Sequence, residues 1–270
     1  MAPIDQATLN LPKKLETLSS NQSKWAKTTY SDKLALLEEV DRLASTIPAE
    51  EWKKLGEWTS NTMMGFRNDT SEGKLVASAE AGMTLLVFKQ CLTNLISSYK
   101  MVGMTNSNAK TYEEQLKPKT SSVNGQVFLD VFPMVPADKF GPYSKLKVQW
   151  FLDPKVTEKD APEPFSIDHF DEKKEDGVLV VLGAGNQSFL TMNDALEALF
   201  VRQRVVLVKQ HPLRAALDDL MRQVFKPLYD AGFLESVLDL GREGNSSLVY
   251  HPLVTGIHMT GGKATHDAIV

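Results

Sequence analysis

The chain has 270 residues, of which 42% are hydrophobic and 24% charged, and its formal net charge is −4. This length allows one large hydrophobic core or two modest ones, so a folded globular protein is expected. With a pI near 5.8, the chain has no basic bias toward phosphate backbones. Nucleic acid is therefore not an expected partner.

No signal for export or membrane insertion is expected. Residues 1–10 lack the charged and apolar regions of a signal peptide. The apolar stretches are far shorter than the roughly 20 residues that span a bilayer. A single cysteine, Cys91, rules out an internal disulfide and fits a reducing compartment. The sequence predicts a cytoplasmic protein without a membrane partner, and it leaves an organelle open.

Residues 1–104 have the periodicity of helices. Ser31 is a suitable N-cap for a helix that ends before Pro48. Apolar residues follow this cap at spacings of three and four: Leu36, Leu37, Val40, Leu43, Ala44 and Ile47. The pattern predicts a helix that buries one face.

A second, longer helix is predicted over residues 74–101. Its expected buried face consists of Leu75, Val76, Ala79, Met83, Val87, Cys91, Leu95 and Tyr99. No histidine or other base stands beside Cys91 in the sequence. Because apolar burial raises the pKa of a thiol, we expect Cys91 to be structural rather than reactive.

The middle of the chain predicts a small antiparallel unit between polar linkers. Residues 105–122 are polar and broken by proline, which indicates a loop. Strand-like segments follow at 126–132 and 146–152, and we expect them to form a ribbon. A second polar linker is expected from residue 157 to residue 164.

From Gly177 onward, strands and helices alternate. The expected elements are a strand at 177–183, a helix at 188–202, a strand at 204–208, a helix at 213–231, a strand at 236–240, a short helix at 244–250 and a strand at 255–259. Gly232 is a candidate C-cap for the second helix. The alternation predicts an α/β fold with a parallel sheet and right-handed crossovers.

The turn after the first of these strands resembles a dinucleotide-binding fingerprint. In Gly183-Ala-Gly185-Asn-Gln-Ser188, bare backbone would let a pyrophosphate approach the start of a helix. The match is partial, because Ser188 replaces the third glycine and Lys209 ends the next strand where an acid is usual. Glycines that serve only a tight turn are the alternative explanation.

Taken together, the turns of this region resemble the successive signatures of the aldehyde dehydrogenase superfamily. The segments that carry the resemblance, in the family's order and spacing, are 183–186, 205–212, 231–233, 251–252 and 257–262. The resemblance is strongest over residues 177–270; earlier in the chain it rests on the helix order and the ribbon. It implies a Rossmann-like parallel sheet with flanking helices, preceded by a helical region and a β-ribbon arm.

The resemblance also implies a division of the chain. Residues 1–122 would be helices that pack on the cofactor-binding domain, and residues 123–165 would be an oligomerisation arm. Residues 166–270 would form the Rossmann-like domain that binds NAD or NADP, and the catalytic domain would be absent. The implied complete enzyme is a homo-oligomer that acts on a small aldehyde.

Five residues match functional positions of the family. Asn186 matches the asparagine whose amide donates to the oxyanion formed on the aldehyde, a contact that contributes about 3 kcal/mol; an asparagine that caps the next helix is the alternative. Lys209 matches the lysine that hydrogen-bonds the adenine ribose, although lysines that end strands at the surface are common. Gly261 and Gly262 match the turn that approaches the cofactor phosphates. Thr260 belongs to that turn and either contacts the cofactor or only holds the turn.

Some positions depart from the family's pattern. Pro212 stands where many members have an acid that reads ribose hydroxyls, so both NAD and NADP stay open. Gly185 replaces an aromatic residue, and His266 replaces a glycine. The histidines are interpreted as structural or surface residues: His211, His251, His258 and His266. No metal site is expected, because no pair of them has ligand spacing with a supporting carboxylate.

The expected reaction is NAD(P)-dependent oxidation of an aldehyde to an acid, of which this chain holds the cofactor-binding portion. In the family, a cysteine thiolate attacks the aldehyde, and a glutamate activates the water that releases the acid. Both would follow the third turn, beyond Val270, and Cys91 lies before the first. If the 270 residues are the whole polypeptide, we expect no aldehyde oxidation.

Two other functions stay open. One is a non-catalytic dinucleotide-binding or assembly module that pairs with full-length subunits through residues 123–153. The other is a reductase of acyl-CoA or acyl phosphate with the same architecture. A sheet with an unpaired edge also predicts poor solubility or dependence on a partner.

Overall fold

A computed structural model describes residues 6–105, 120–124, 126–133, 144–157, 177–238 and 240–269. The chain divides into two compact units, one of residues 1–92 with 174–270 and one of residues 93–173. Most of the loop expected at 105–122, and almost all of the linker expected from residue 157 to residue 164, lie outside the described residues.

Four helices open the described chain, as the periodicity of residues 1–104 predicts. They are α1 (Gln6–Lys27), α2 (Tyr30–Thr46), α3 (Ala49–Thr62) and α4 (Ser71–Thr105). Helix α2 ends before Pro48 as expected, but its N-cap is Thr29 rather than Ser31. The Thr29 hydroxyl accepts from the Asp32 N–H at 3.1 Å, because Thr29 is extended and Ser31 already lies in the first helical turn.

Helix α4 is longer than expected and buries a partly different face. Ala77, Phe88 and Leu92 are buried, whereas Leu75 is 71% exposed and Met83 is also exposed. Most of the expected face is displaced by one residue, a rotation of about 100°, although Tyr99 is buried as expected. Apolar side chains lie on both sides of this helix, so their periodicity does not identify the side that packs.

Helix α4 also contains a longer apolar stretch than expected. Among the described residues, Ser71–Lys100 is one helical stretch that is long enough to cross a membrane and contains an 18-residue window with a mean hydropathy of 1.3. Core helices of soluble proteins meet the same criterion. The criterion alone therefore assigns no membrane to this chain.

The second unit contains a three-stranded antiparallel sheet in the order β1-β2-β3. Its strands are β1 (Thr120–Val123), β2 (Gln126–Phe132) and β3 (Val148–Phe151). The pairing of β2 with β3 confirms the predicted ribbon. Strand β1 overlaps the loop that the sequence predicts at 105–122. Its polar residues pair with β2 but lack the alternating apolar pattern that marks a strand in a sequence.

The first unit contains a four-stranded parallel sheet, which confirms the predicted α/β fold. The strands are β4 (Val178–Leu182), β5 (Val206–Lys209), β6 (Leu234–Val237) and β7 (Val254–Met259), in the order β6-β5-β4-β7. Every pair is parallel. Since β5 lies on one side of β4 and β7 on the other, the sheet changes its winding direction at β4. The carboxyl ends of β4 and β7 flank this switch point.

The connections between these strands are more broken than the sequence predicts. They comprise α5 (Ser188–Leu196) with a π-helical turn at Glu197–Val201, a 3₁₀ turn at Pro212–Arg214, α6 (Leu217–Val224), α7 (Lys226–Asp230) and α8 (Gly241–Val249). A further helix, α9 (Lys263–Asp267), follows β7. The helix expected at 213–231 is thus divided, with Pro227 in the first turn of α7. Gly232 has a φ of +71°, which fits its predicted role after a helix end.

The core lies between the sheet and helices on both of its faces. Trp25 joins α1 to this core, since its fully buried ring packs edge-on against Phe200 with 5.4 Å between the ring centroids. Its indole N–H donates to the carbonyl of Leu199 at 3.2 Å. This packing fixes the sheet while leaving the turns after its strands at the surface.

Candidate functional site

A cleft of about 980 Å³ lies at the carboxyl edge of the parallel sheet. The turns that follow β4, β5 and β7 line it, together with part of α8. All five residues that the sequence singles out line this cleft: Asn186, Lys209, Thr260, Gly261 and Gly262. The structure therefore brings together segments that are up to 76 residues apart in the sequence.

The strand register explains why these turns meet. Leu182 in β4 pairs with Lys209 in β5 on one side and with Met259 in β7 on the other. The three strands consequently end at the same level, and their turns leave the same edge of the sheet. Ligands of open parallel sheets bind at such an edge, beside the switch point.

The turn after β4 needs glycine for reasons of packing. A Cβ on Gly183 would lie 3.0 Å from the Thr191 hydroxyl and 3.1 Å from the Lys209 carbonyl. A Cβ on Gly185 would lie 2.8 Å from a carbon of the His211 ring. The structural alternative therefore accounts for both glycines without a ligand.

Arg214 also belongs to this site, although the sequence pattern does not indicate it. Its side chain is only 1% exposed, and it makes five hydrogen bonds. Nη2 donates to the Asn186 carbonyl at 2.5 Å and Nε to the Gly185 carbonyl at 3.1 Å. Burial lowers the pKa of this guanidinium, and the nearby Glu80 carboxylate opposes that shift. In the sequence, Arg214 is one basic residue within a helical pattern and gives no distinctive signal.

Asn186 is exposed at the surface of the cleft, directly after the two glycines. The N-cap of α5 is Gln187, and its side chain makes no capping hydrogen bond. Asn186 therefore precedes the cap position, which removes the basis for the helix-capping alternative. Its carbonyl is held by Arg214. This contact fixes the backbone that carries the Asn186 amide.

The segment after β5 places a lysine and a histidine on the cleft wall. Lys209 is the last residue of β5 and its side chain is half-buried, so it is not a fully solvated strand end. His211 is the N-cap of the 3₁₀ turn, and its Nδ1 accepts from the Leu213 N–H at 3.2 Å. That hydrogen bond places the ring proton of a neutral His211 on Nε2. His211 also lines the cleft, so it is a surface residue of the candidate site as well as a packing neighbour of Gly185.

In the third turn, Thr260 is held by side-chain contacts and the glycines are open. The Thr260 hydroxyl donates to Oδ2 of Asp194 at 3.2 Å, and Oδ1 of Asp194 lies 3.3 Å from Nε2 of His258. Burial raises the pKa of Asp194, and His258 opposes this shift. A Cβ on Gly262 would meet no atom within 4 Å, and one on Gly261 would make only ordinary contacts. Packing therefore explains Thr260 but does not require either glycine.

Cys91 is a half-buried thiol of α4 and is not among the described residues that line the cleft. Burial, together with the charges of Asp194 and Glu197, raises its pKa to about 12. This agrees with the expectation of a structural thiol. In the described part of the chain, no cluster of three His, Cys, Asp or Glu side chains could hold a metal ion.

Comparison with known proteins identifies the fold. No protein-family model matches the chain, and no curated protein matches it. The NADP-dependent glyceraldehyde-3-phosphate dehydrogenase of Bacillus halodurans is similar in structure, with a TM-score of 0.54 and 14% identity over 97% of this chain and 42% of that chain. The NAD-dependent benzaldehyde dehydrogenase of Corynebacterium glutamicum gives a TM-score of 0.55 at 12% identity, over 97% and 42% of the two chains.

An acetylating aldehyde dehydrogenase of Geobacillus thermoglucosidasius gives a TM-score of 0.55 at 12% identity, over 100% of this chain and 45% of that chain. The chain therefore spans less than half the length of these solved structures. Identities this low establish the fold alone. The resemblance stated from the turns is confirmed at that level: the chain folds like part of an aldehyde dehydrogenase.

Proposed function

We propose that this chain is the cofactor-binding portion of an oxidoreductase that oxidises an aldehyde to an acid, and that its cleft holds NAD or NADP. The proposal is carried by the meeting of the turns after β4, β5 and β7 in one cleft. The fold shared with aldehyde dehydrogenases supports it. One of those neighbours is named for NADP and another for NAD, so both cofactors are included.

The residues of the cleft fit a dinucleotide in size and chemistry. A volume of about 980 Å³ lies near the upper end of the range for ligand sites, roughly 300–1,000 Å³. The open Gly262 leaves backbone accessible to a phosphate, and its φ of −81° needs no glycine. Lys209 would donate to the ribose hydroxyls. Val249 of α8, which is partly exposed, adds apolar surface for a base.

In this proposal, the chain binds the dinucleotide and polarises the carbonyl group of the aldehyde. A bound nicotinamide dinucleotide supplies a hydride acceptor for the oxidation. Asn186 would donate its side-chain amide N–H to the oxygen of the reacting carbonyl as negative charge develops there. A donor placed in advance contributes about 3 kcal/mol to such a step.

We propose that Cys91 is not the nucleophile of this reaction, because it lies in α4 and is not among the described residues that line the cleft. The single cysteine has a pKa raised to about 12, and a thiol must ionise to attack an aldehyde. We therefore expect the 270 residues alone to bind a dinucleotide without oxidising aldehydes. The same observation favours the second candidate function, a non-catalytic dinucleotide-binding module.

Assembly forms part of the proposal. The β3 strand is an edge of its sheet, and its Trp150 and Phe151 are exposed. We propose that residues 123–165 form the arm through which copies of the chain associate, between helices at 1–122 and the cofactor-binding domain at 166–270. An aldehyde substrate and a cytoplasmic location complete the proposed function.

Titration with NADH and NADPH, followed by calorimetry, tests the cofactor assignment. We expect saturable binding of at least one of them, weakened about tenfold in Lys209→Met through loss of a charge-assisted hydrogen bond. Lys14→Met is the control, since Lys14 pairs with Glu235 at 2.8 Å and is not among the residues that line the cleft. Failure of both dinucleotides to bind at millimolar concentration would overturn the proposal.

The reactivity of Cys91 tests whether these 270 residues bind a cofactor only or also oxidise aldehydes. At pH 8, a thiol with a pKa near 12 has about 1,000-fold less thiolate than one at the ordinary value of 9.0, so alkylation of Cys91 should be slower by that factor in the folded chain. Unfolding in urea should restore the ordinary rate. Aldehyde-dependent reduction of NAD or NADP that Cys91→Ser abolishes would contradict the assignment.

A further inference from the structure

Arg214 connects the turn after β4 to two helices of the first unit. On one side, its Nη2 and Nε donate to the carbonyls of Asn186 and Gly185 at 2.5 and 3.1 Å. On the other, its Nη1 donates to the Thr59 hydroxyl of α3 at 2.7 Å and to Oε1 of Glu80 of α4 at 2.8 Å. The guanidinium therefore joins a glycine-rich turn to a rigid framework.

The charge at this junction is balanced within the protein. The Glu80 side chain is 16% exposed and also accepts from the Ser188 hydroxyl at 2.7 Å, at the first residue of α5. Arg214 donates to the same hydroxyl at 2.9 Å. A buried cation with a carboxylate and two carbonyls as acceptors holds a fixed geometry, because each displaced donor would leave a polar group unsatisfied.

We propose that Arg214 is a positioning residue for the cleft: it fixes the peptide groups of Gly185 and Asn186 in the conformation that presents the Asn186 amide and admits a ligand. This inference rests on the proposed function. A turn that contains two glycines has many accessible conformations when it is not held. Without the guanidinium, binding would have to order this turn, and the affinity would fall accordingly.

A second buried arginine supplies a matched control. Arg204 is 3% exposed and donates to the Gly177 carbonyl at 3.1 Å, before the amino end of β4. Truncation of either arginine removes a buried cation that satisfies backbone oxygen. Only truncation of Arg214 releases the turn that lines the cleft.

The experiment compares Arg214→Met, Arg214→Lys and Arg204→Met with the unaltered chain. Dinucleotide affinity is measured by calorimetry at a temperature where circular dichroism shows each variant folded. Amide hydrogen exchange of residues 185–188 is measured in the absence of ligand. The lysine variant keeps the charge near Glu80 but cannot donate in a fork to both carbonyls.

We expect both Arg214 variants to bind the dinucleotide about 10- to 100-fold more weakly and to exchange the amides of 185–188 faster. Arg204→Met should leave both quantities unchanged, although its melting temperature falls. Equal affinity in Arg214→Lys and the unaltered chain, or equal weakening in Arg204→Met, would overturn the inference. Should Arg214→Met fail to fold, Arg214→Lys supplies the comparison.

The same experiment distinguishes failure of the proposed cofactor binding from failure of the role proposed for Arg214. If the unaltered chain binds neither dinucleotide, the cofactor assignment is lost, and hydrogen exchange alone decides the role of Arg214. Faster exchange at 185–188 in Arg214→Lys, with no change there in Arg204→Met, would support positioning of the turn. Unchanged exchange in Arg214→Lys would overturn it.

Discussion

The two ends of the four-stranded parallel sheet differ in what contacts the backbone beside the strands. At the amino end, Arg204 donates to the Gly177 carbonyl and to the Thr255 hydroxyl. The Gln22 side chain of α1 accepts from the Gly177 N–H. Side chains of the protein thus supply hydrogen bonds to the backbone just before β4.

At the carboxyl end, buried side chains hold the turns on the side away from the cleft, and the other side of the turns lines the cleft. Arg214 binds two carbonyls of the turn after β4, and Asp194 holds Thr260. Gly261 and Gly262 line the cleft, and a Cβ on either glycine would meet no atom closer than 3.8 Å. We therefore expect substitutions at the amino end to change stability alone and substitutions at the carboxyl end to change binding.

The largest effect is expected for Gly177→Ala, at the amino end. Gly177 has a φ of +103°, and a Cβ there would lie 2.4 Å from the Thr255 methyl carbon. Backbone strain and this overlap should lower the free energy of unfolding by about 3 kcal/mol, measured by urea denaturation. Dinucleotide affinity of the folded fraction should not change.

Gly65→Ala separates the two causes of that loss. Gly65 has a φ of +71°, but a Cβ there would meet no atom within 4 Å. We expect only the strain of a left-handed conformation, about 1 kcal/mol. Equal losses in Gly65→Ala and Gly177→Ala would show that the overlap with Thr255 contributes nothing.

A smaller effect is expected for Gly185→Ala, at the carboxyl end. The added Cβ would displace the His211 ring, which should lower stability by about 1.5 kcal/mol and affinity for the dinucleotide about tenfold. In a His211→Ala background, the stability loss should fall below about 0.5 kcal/mol. A double-mutant cycle by urea denaturation measures this coupling, and a coupling near zero would contradict the packing of the ring on Gly185.

The sheet and the position of the cleft could be predicted because they follow from local patterns. Buried parallel strands such as Val178–Leu182 appear as unbroken apolar runs, and turns that follow parallel strands share one edge. This is why Asn186, Lys209 and Gly261 could be placed together from the sequence. The roles proposed for these three residues are contacts with substrate or cofactor, and the position of a residue in the cleft does not determine which contact it makes.

Features that depend on distant packing could not be predicted. Arg214 meets Glu80 across 134 residues of sequence, and no local spacing marks either residue as one of a pair. The buried side of α4 depends on which apolar face meets a neighbour, and both faces carry leucine or methionine. His211 became part of the cleft because Gly185 leaves room for its ring.

The smallest effect is expected for Gly262→Ala, and it bears most directly on the contrast. Its φ of −81° suits alanine and a Cβ there meets no protein atom, so stability should change by less than about 0.5 kcal/mol. A ligand phosphate close to this backbone would meet the methyl group, and the affinity should fall about fivefold in calorimetry, or about 1 kcal/mol.

Gly82→Ala is the reverse control: this exposed helical position has open space, so alanine should raise stability by up to about 1 kcal/mol and leave affinity unchanged. Unchanged affinity in Gly262→Ala would mean that the ligand does not approach the turn after β7, and the open carboxyl end would then need another explanation.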